Sequence, residues 1–486
     1  MSGKYVHLEH RIASEQQTFA RPLRSLVTRE AVVCDEARSI SDAAALMRAQ
    51  GVGSLIVVDA AGRSVGILTS HDLVSAVAAG ARGRPVAEYM TREPFGLPAH
   101  ALAYEAALAM ISRRIRHVVV TDEGRLLGVV SERDLFSLER LGLGEISMEI
   151  RLARDIGMLA SVAAEVRKLA TRLVEQGVAA EQLMSLVSVL NDRITQRVIE
   201  IVRGDRDLER ISWCWLAFGS EGRLEQTFTS DQDNGLLFVT HDDTDSARAR
   251  ERLLPFARDV NLALDACGFE LCKGNVMASN PELCLSLDEW RSKMAGWIEV
   301  SMPKALLDAV ICFDYRAIYG DITLANRLRA WVHDLTRKHP VFLRHMATNA
   351  LKAQPALGRL GGFTTDDFPG AEKTIDLKQN GARIFVDVAR IYALAHAIPQ
   401  SNTAERLRAA CAAIGMKVSD TKAAVDGFFV VQGVRLKNQA RAQGMEASWH
   451  NRVDPAHLGR IESAALKEAL RIGRELQERL ALDYQL

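Results

Sequence analysis

The sequence has no apolar run approaching the roughly 20 residues that span a bilayer. Its opening, MSGKYVHLEHRIASEQQ, lacks the apolar stretch of a signal peptide. Both absences lead us to expect a cytoplasmic protein with no membrane partner. There is no excess of either charge, since 61 basic and 61 acidic residues give a formal net charge of +0. Nothing in that balance favours nucleic acid as a partner. No C-x-x-C pair occurs among the seven cysteines, Cys34, Cys214, Cys267, Cys272, Cys284, Cys312 and Cys411. Their number is odd and their spacing irregular, so we expect buried free thiols and no zinc site. What remains is ordinary for a globular protein: hydrophobic residues are 48% and charged residues 25% of the chain. The 486 residues suggest about three domains.

The chain repeats itself near its start. GVGSLIVVDAAGRSVGILTSHDLVSA, from Gly51, aligns with RIRHVVVTDEGRLLGVVSERDLFSL, from Arg114. Asp59 matches Asp122, Gly66 matches Gly128, Thr69 matches Ser131 and Asp72 matches Asp134. Each copy reads as a strand, a tight Asp/Gly turn, a second strand and a helix start. A helical stretch precedes each, with Ser41 a candidate N-cap and Gly51 a candidate stop in the first. Over residues 21–140 this pattern resembles the CBS-domain pair, in which two β-α-β-β-α units form one regulatory module. The resemblance implies an adenine nucleotide, AMP or ATP, held by Thr69, Asp72, Ser131 and Asp134, a role in signal transduction, and homodimerisation through the pair. The chemistry is compatible: a carboxylate can accept both ribose hydroxyls, and a hydroxyl at a helix start sits beside donors suited to phosphate. The same residues can instead simply cap helices.

Residues 141–209 read as a helical connector. Leu159, Val162, Val166, Leu169 and Leu173 fall at helical spacing, as do Leu183, Leu186, Leu190 and Ile194, with a break at Gly177. Packing explains such a stretch better than signal transmission does.

The chemistry concentrates in FGSEGRLEQTFTSDQDNGLLF, Phe218 to Phe238. Apolar runs at Trp213–Phe218 and Gly235–Val239 have strand length. We expect a strand, a tight turn at Gly219-Ser220, a short helix, and a second strand entered through Asp231-x-Asp233. A glycine lets backbone approach a triphosphate, and Ser220 with neighbouring N–H groups faces the anion. Two aspartates one residue apart point to the same face of a strand, and an oxygen-only pair suits Mg²⁺ carrying a nucleotide. A calcium loop does not fit, because Gly235 and Leu236 occupy the positions that need an oxygen ligand and a glycine.

This arrangement resembles the DNA-polymerase-β-like nucleotidyltransferase superfamily. More narrowly, it is similar to a bacterial family of nucleotidyltransferases attached to CBS pairs, akin to the uridylyltransferase that modifies the PII protein. The likeness extends through CKGNVMASNPELCLSLDEW, FDYRAIYGD and TIDLKQNGARIFVDVARIYALAHAI. It implies Asp231 and Asp233 as catalytic metal ligands and Gly219 and Ser220 as the phosphate cradle. The third carboxylate is assigned to Glu270, on an expected strand at FELCKGNVMAS. Arg223 and Lys273 are candidate phosphate contacts.

We therefore expect an α/β plus α protein. A tail at 1–20 precedes the tandem CBS module at 21–140 and the connector at 141–209. A polymerase-β-like nucleotidyltransferase fold with a mixed sheet follows at 210–300, and a C-terminal helical domain, the presumed substrate-binding part, at 301–486. In that last part Lys378, Arg383 and Asn451 either face the cleft or lie on helix surface. The expected activity is Mg²⁺-dependent transfer of a nucleotidyl group from an NTP, ATP or UTP, to a protein or small-molecule acceptor. The alternative is an inactive nucleotide-sensing signalling protein or a dimeric scaffold.

Overall fold

The computed structural model describes residues 21–486 except 28, 61, 114, 137–142, 209–210, 229–230, 241–245, 301–309, 359–360, 369–370 and 443–449. The expected tail at 1–20 lies outside the described residues. Contacts divide the chain into two units, Met1–Ser147 and Met148–Leu486.

The first unit carries the repeat. Its first copy runs β1 (Val33–Asp35), α1 (Ile40–Gln50), β2 (Ser54–Val58), β3 (Ser64–Thr69), α2 (Ser70–Ala78) and β4 (Thr91–Arg92). Its second runs β5 (Gly96–Pro98), α3 (Ala103–Arg113), β6 (His117–Asp122), β7 (Arg125–Ser131) and α4 (Glu132–Phe136). In each copy a parallel pair, β1–β2 or β5–β6, continues into an antiparallel hairpin. Strand alternation sorts the side chains. Leu55 and Val57 face α1 in one core, Val118 and Val120 face α3 in another, and Ile56, Ile67 and Val119 meet as a third cluster. The cap of α1 is Ser39, not Ser41: the Ser39 side chain accepts from Asp42 N, and Ser41 lies inside the helix. Gly51, with φ +60°, ends it as expected.

The second unit begins with α5 (Leu143–Leu152), which straddles the boundary, followed by α6 (Ile156–Glu175) and α7 (Ala180–Arg203). All nine apolar positions singled out in the connector are buried. Arg167 Nη1 donates to Cys267 O (3.0 Å), which ties α6 to the end of α9 (Ser246–Ala266). The connector is therefore part of this unit's core.

The sheet of this unit is mixed. It contains β8 (Ile211–Ala217), β9 (Asn234–Thr240), β10 (Cys284–Ser286) and β11 (Arg316–Gly320), in the order β10-β9-β8-β11. β9 pairs antiparallel with β8 and parallel with β10, and β8 pairs antiparallel with β11. Trp290, on α10 (Leu287–Val300), donates its indole N–H to Leu236 O (2.9 Å) and covers one face. One expectation fails here. The segment FELCKGNVMAS forms no strand; it turns at Lys273-Gly274, and the third strand comes later, at β10. The short helix expected there, α8 (Gly219–Gly222), is a single turn that starts at Gly219, and Leu224 beyond it takes a left-handed φ of 57°.

The last third is helical, with α11 (Ile322–Lys338), α12 (Pro340–Ala350), α13 (Arg383–Ala395), α14 (Thr403–Ala413), α15 (Val418–Arg441) and α16 (Arg460–Asp483). It also holds three short strands absent from the sequence reading, β12 (Asp366–Phe368), β13 (Ala371–Asp376) and β14 (Arg452–Val453). α13 is buried all round from Ile384 to Leu394, the pattern of a central core helix.

Candidate functional site

The quoted stretch folds back on itself. β8 and β9 pair in register from Ile211↔Thr240 to Ala217↔Asn234, and Phe218 N then donates to Asp233 O (2.8 Å). The turn after β8 is thereby placed against the entrance of β9. Gly219 adopts φ +56°, and a Cβ there would lie 3.0 Å from Ile311 and 3.3 Å from Asp233 Oδ2. Its conformation and the closeness of the carboxylate both call for glycine. Gly222 is more confined: a Cβ would fall 2.2 Å from Asp314 O and 2.8 Å from Ala217 O. The Ser220 hydroxyl is half-buried beside this turn.

The alternation Asp-Gln-Asp-Asn at 231–234 separates two tasks. Gln232 and Asn234 point inward and are buried. Gln232 donates to Asn261 O (2.9 Å) and Phe269 O (2.8 Å), and Asn261 donates to Gln232 Oε1 (2.7 Å) and Asn234 Oδ1 (2.9 Å). This amide network pins the strand entrance to α9. Asp231, exposed, and Asp233, half-buried, face the other way. Among the described residues neither makes an ion pair. One oxygen from each aspartate and the Cys272 sulfur lie within 4.8 Å of one another. The Cys272 thiol donates to Asp233 Oδ1 (3.3 Å). Burial, then the charge of Asp231, pushes the Asp233 carboxyl up to about 7, against weaker pulls from Cys272, Lys378 and Arg223. Two carboxylates share a space, and the nearby cations offset them only in part. Behind the turn, Glu221 is buried and its carboxyl is pushed up to about 8 by burial and by Asp192.

Two sequence assignments need correction. Glu270 does not join the aspartates; its side chain is exposed, and its backbone O accepts from Gln232 N (2.9 Å). The third group beside them is Cys272, because the segment crosses the strand entrance as irregular chain and presents a different residue. Arg223 is not available to a phosphate. Its Nε donates to Glu225 (2.8 Å) and its Nη1 to Asp314 (2.6 Å), with the side chain almost wholly buried. Lys273, the other candidate phosphate contact, lies exposed in the turn after Cys272.

Sequence reasoning missed Asp314, although it sits in the quoted FDYRAIYGD. Fully buried, it accepts from Arg223 (2.6 Å), from Arg390 on α13 (2.6 Å) and from Arg406 on α14. Its carboxyl is held far below the usual range: burial opposes ionisation, but the three guanidinium charges outweigh it. Glu225 accepts from Thr403 N (2.6 Å), and Asn402 donates to Arg223 O (3.0 Å). The candidate phosphate turn is therefore fastened to the α13–α14 region by buried charge.

Of the C-terminal candidates, Lys378 is exposed and within electrostatic reach of Asp233. Arg383 donates to Asp387 (3.1 Å) and Gln379 (3.0 Å). Asn451 accepts from Arg435 (2.8 Å).

In the first unit, Asp72 Oδ2 accepts from Thr69 N (2.8 Å) and Thr69 Oγ1 (2.7 Å), a reciprocal cap on α2. Asp134 Oδ2 does the same for Ser131 N (2.8 Å) and Ser131 Oγ (2.6 Å). The imidazole of His117 lies in reach of both aspartates; burial pushes its pKa down.

The CBS domain model matches residues 23–79 and 86–140. The model described as "Putative nucleotidyltransferase DUF294" matches 164–304, and that described as "Putative nucleotidyltransferase substrate binding domain" matches 340–484. An uncharacterized 17.7 kDa protein of Acidianus ambivalens is 32% identical over 117 residues, 24% of this chain and 71% of that one. The inosine-5'-monophosphate dehydrogenase of Mycobacterium leprae is 29% identical over 168 residues, 34% of this chain and 31% of the enzyme. The chain thus spans under a third of that dehydrogenase. Among solved structures, a CBS-domain containing protein from Agrobacterium tumefaciens shares 31% identity, with a TM-score of 0.24, over 25% of this chain and 96% of that one. A CBS domain protein from Pyrobaculum aerophilum, complexed with AMP, shares 28% identity, with a TM-score of 0.24, over 26% and 99%. With a CBS pair ahead of both DUF294 domains, the chain belongs to the family of CBS-linked nucleotidyltransferases.

Proposed function

We propose that this protein moves a nucleotidyl group from ATP or UTP to an acceptor, a protein or a small molecule. In this reading Asp231 and Asp233 hold Mg²⁺ and the Gly219-Ser220 turn lies against the triphosphate. An adenine nucleotide at the CBS pair tunes the reaction, and the pair joins two copies of the chain.

The observation that carries the reading is the convergence of Asp231 and Asp233 beside the Gly219-Ser220 turn, with no arginine on either carboxylate among the described residues. The two carboxylates fit a hard divalent cation, which prefers oxygen ligands. Mg²⁺ there supplies positive charge to the transferring phosphoryl oxygens. Cys272 offers a soft sulfur that suits Mg²⁺ poorly; its thiol orients Asp233 by donating to Oδ1. The amide network of Gln232, Asn234 and Asn261 fixes the backbone that aims both aspartates. Ser220 and the backbone of the turn offer donors to phosphate oxygens. Incubation with Mg²⁺ and α-labelled ATP or UTP tests the proposal: label transfer or pyrophosphate release is expected, and it disappears in Asp231→Ala and Asp233→Ala.

A second reading, an inactive nucleotide sensor or scaffold, draws on one observation. Among the described residues no third carboxylate joins the pair, and Cys272 takes that place. Calorimetry with AMP, ATP and UTP separates the cases. Binding without turnover marks a sensor, and no binding at all marks a scaffold.

A further inference from the structure

Of the seven cysteines, Cys272 is the one that is not buried. It is also the one beside the open aspartates. Its sulfur lies 3.3 Å from Asp233 Oδ1. That sulfur and one oxygen each of Asp231 and Asp233 all fall within 4.8 Å of one another. Asp231 is exposed and the other two are half-buried, so solvent reaches the group.

The backbone fixes this sulfur from both sides. Gln232 N donates to Glu270 O (2.9 Å), and Asn234 N donates to Val276 O (3.0 Å). Residues 270–276 are thereby strapped across the strand entrance at the two positions that flank Asp233. Between those two bonds the chain turns: Asn275 N donates to Cys272 O (2.9 Å), and Asn275 takes a left-handed φ of 55°. Ala278 N then donates to Asn234 Oδ1 (2.8 Å), which joins the strap to the buried amide network. The same network that aims Asp231 and Asp233 therefore also places Cys272.

The separations suit a tetrahedral ion. Zinc bound at about 2.3 Å to sulfur and about 2.1 Å to oxygen holds the two ligand atoms about 3.6 Å apart. The 3.3 Å between Cys272 and Asp233 is close to that. Asp231, exposed, can close the remaining distance by side-chain rotation. Three protein ligands leave a fourth position for water. Mg²⁺ makes no use of the sulfur, because it takes oxygen ligands in octahedral geometry. A thiolate instead selects softer ions such as zinc.

We infer that Asp231, Asp233 and Cys272 form a site for a thiophilic divalent cation of the zinc class, which competes there with Mg²⁺. When such an ion binds, the Cys272 proton passes to solvent and a sulfur–metal bond replaces the hydrogen bond to Asp233. Occupancy by that ion takes the aspartates away from Mg²⁺ and stops nucleotidyl transfer; this consequence rests on the transfer reading, and the site itself does not. The missing C-x-x-C pair excludes only sites built on paired cysteines. Here the sulfur and Asp233 stand 39 residues apart in the chain.

The test uses the full chain, freed of metal by chelation, with Co²⁺ as a spectroscopic stand-in for Zn²⁺. We expect Co²⁺ to give a thiolate-to-metal charge-transfer band in the near ultraviolet, and Zn²⁺ to displace it. Cys272→Ser should lose the band and bind Zn²⁺ about tenfold to a hundredfold more weakly, a loss that even an outer-shell change can cause in a metal site. Asp231→Asn, at an exposed position, should weaken binding while the band persists at saturation. A cobalt complex without the band overturns the inference. So does a Cys272→Ser protein that keeps the band or binds Zn²⁺ as tightly as the wild type. An Asp231→Asn protein with undiminished affinity overturns it too, because the cysteine would then hold metal without the aspartates. Mg²⁺-dependent label transfer is measured alongside. If transfer is seen without the band, the site is refuted and the transfer reading stands; if the band is seen without transfer, the site stands and the transfer reading falls.

Discussion

Asp233 and Asp314 lie in the same unit, both shielded from water, and they titrate in opposite directions. Asp314 is fully buried and answered by three guanidinium groups, and it stays ionised far below the usual range. Asp233 is less buried, sits beside another carboxylate, and is pushed up to about 7. Burial acts the same way on both; only the company differs. A carboxylate whose charge is cancelled by its own chain holds structure together. One whose charge is left open is arranged for something that arrives. The difference also orders the unit: the Asp314 cluster fastens the residues after Gly219-Ser220 to α13 and α14, and Asp233 stands free at the edge of what is thereby held.

The largest expected effect comes from removing the open charge. Asp233→Asn should lower label transfer by on the order of 10²–10⁴-fold, since metal-borne stabilisation of phosphoryl charge is worth several kcal/mol. Its fold should persist, as checked by circular dichroism. If Asp233→Asn instead unfolds the protein with transfer per folded molecule intact, the contrast with Asp314 is broken.

Asp314→Asn should do the reverse and act first on stability. Removing one partner of a buried ion cluster costs about 3–5 kcal/mol, or roughly 2–4 °C of melting temperature per kcal/mol for a unit of this size. Activity should fall only as the Gly219-Ser220 turn loses its anchorage. Thermal unfolding in parallel with nucleotide KM separates the two.

The pH dependence sharpens the same comparison. Asp233 has a folded pKa raised above its unfolded value near 3.8. Its contribution to stability is fully present below about 4 and is lost as pH rises toward about 7. Asp314 has a depressed folded pKa, so its contribution is present above about 4 and is lost only as pH falls below that. In metal-free buffer, Asp233→Asn should therefore gain stability over the wild type between pH 4 and 7 and hold that gain above. Asp314→Asn should show its full deficit across the same window. Urea unfolding at pH 4, 5.5, 7 and 8 checks both signs.

Much of this was legible in the sequence, for reasons of pattern. The repeat announced two copies of one unit because strand alternation and turn residues recur in step. The connector helices were legible because Leu159 to Leu173 and Leu183 to Ile194 keep helical spacing, and each of those positions is buried. Asp231 and Asp233 stood out because period-two spacing at a strand entrance puts both on one face. Glu270 and Arg223 were misjudged because proximity along the chain says little about irregular segments. The strand expected at FELCKGNVMAS would have aimed Glu270 inward; the actual turn at Lys273-Gly274 brings Cys272 instead. Asp314 was invisible because its partners are far along the chain: Arg406 lies 92 residues from it.

The smallest expected effect lies in the first unit, where a third kind of aspartate occurs. Asp72 is neither cancelled by arginine nor left open; its Oδ2 is spent on the cap with Thr69. A carboxylate has about four lone-pair sites, so Oδ1 can still accept from a ribose. Asp72→Ala would remove both functions at once and separate nothing. Asp72→Asn keeps an acceptor at this N3 position of the box, where an amide oxygen can serve as a carboxylate does, and removes the second acceptor oxygen. If Asp72 only caps α2, Asp72→Asn should leave both the melting temperature and AMP affinity unchanged. If it also holds a ribose, stability should stay within about 0.5 kcal/mol while AMP affinity falls by about tenfold. Calorimetry with AMP on the full chain decides between them, and the same substitution at Asp134 shows whether the two halves of the repeat share the work.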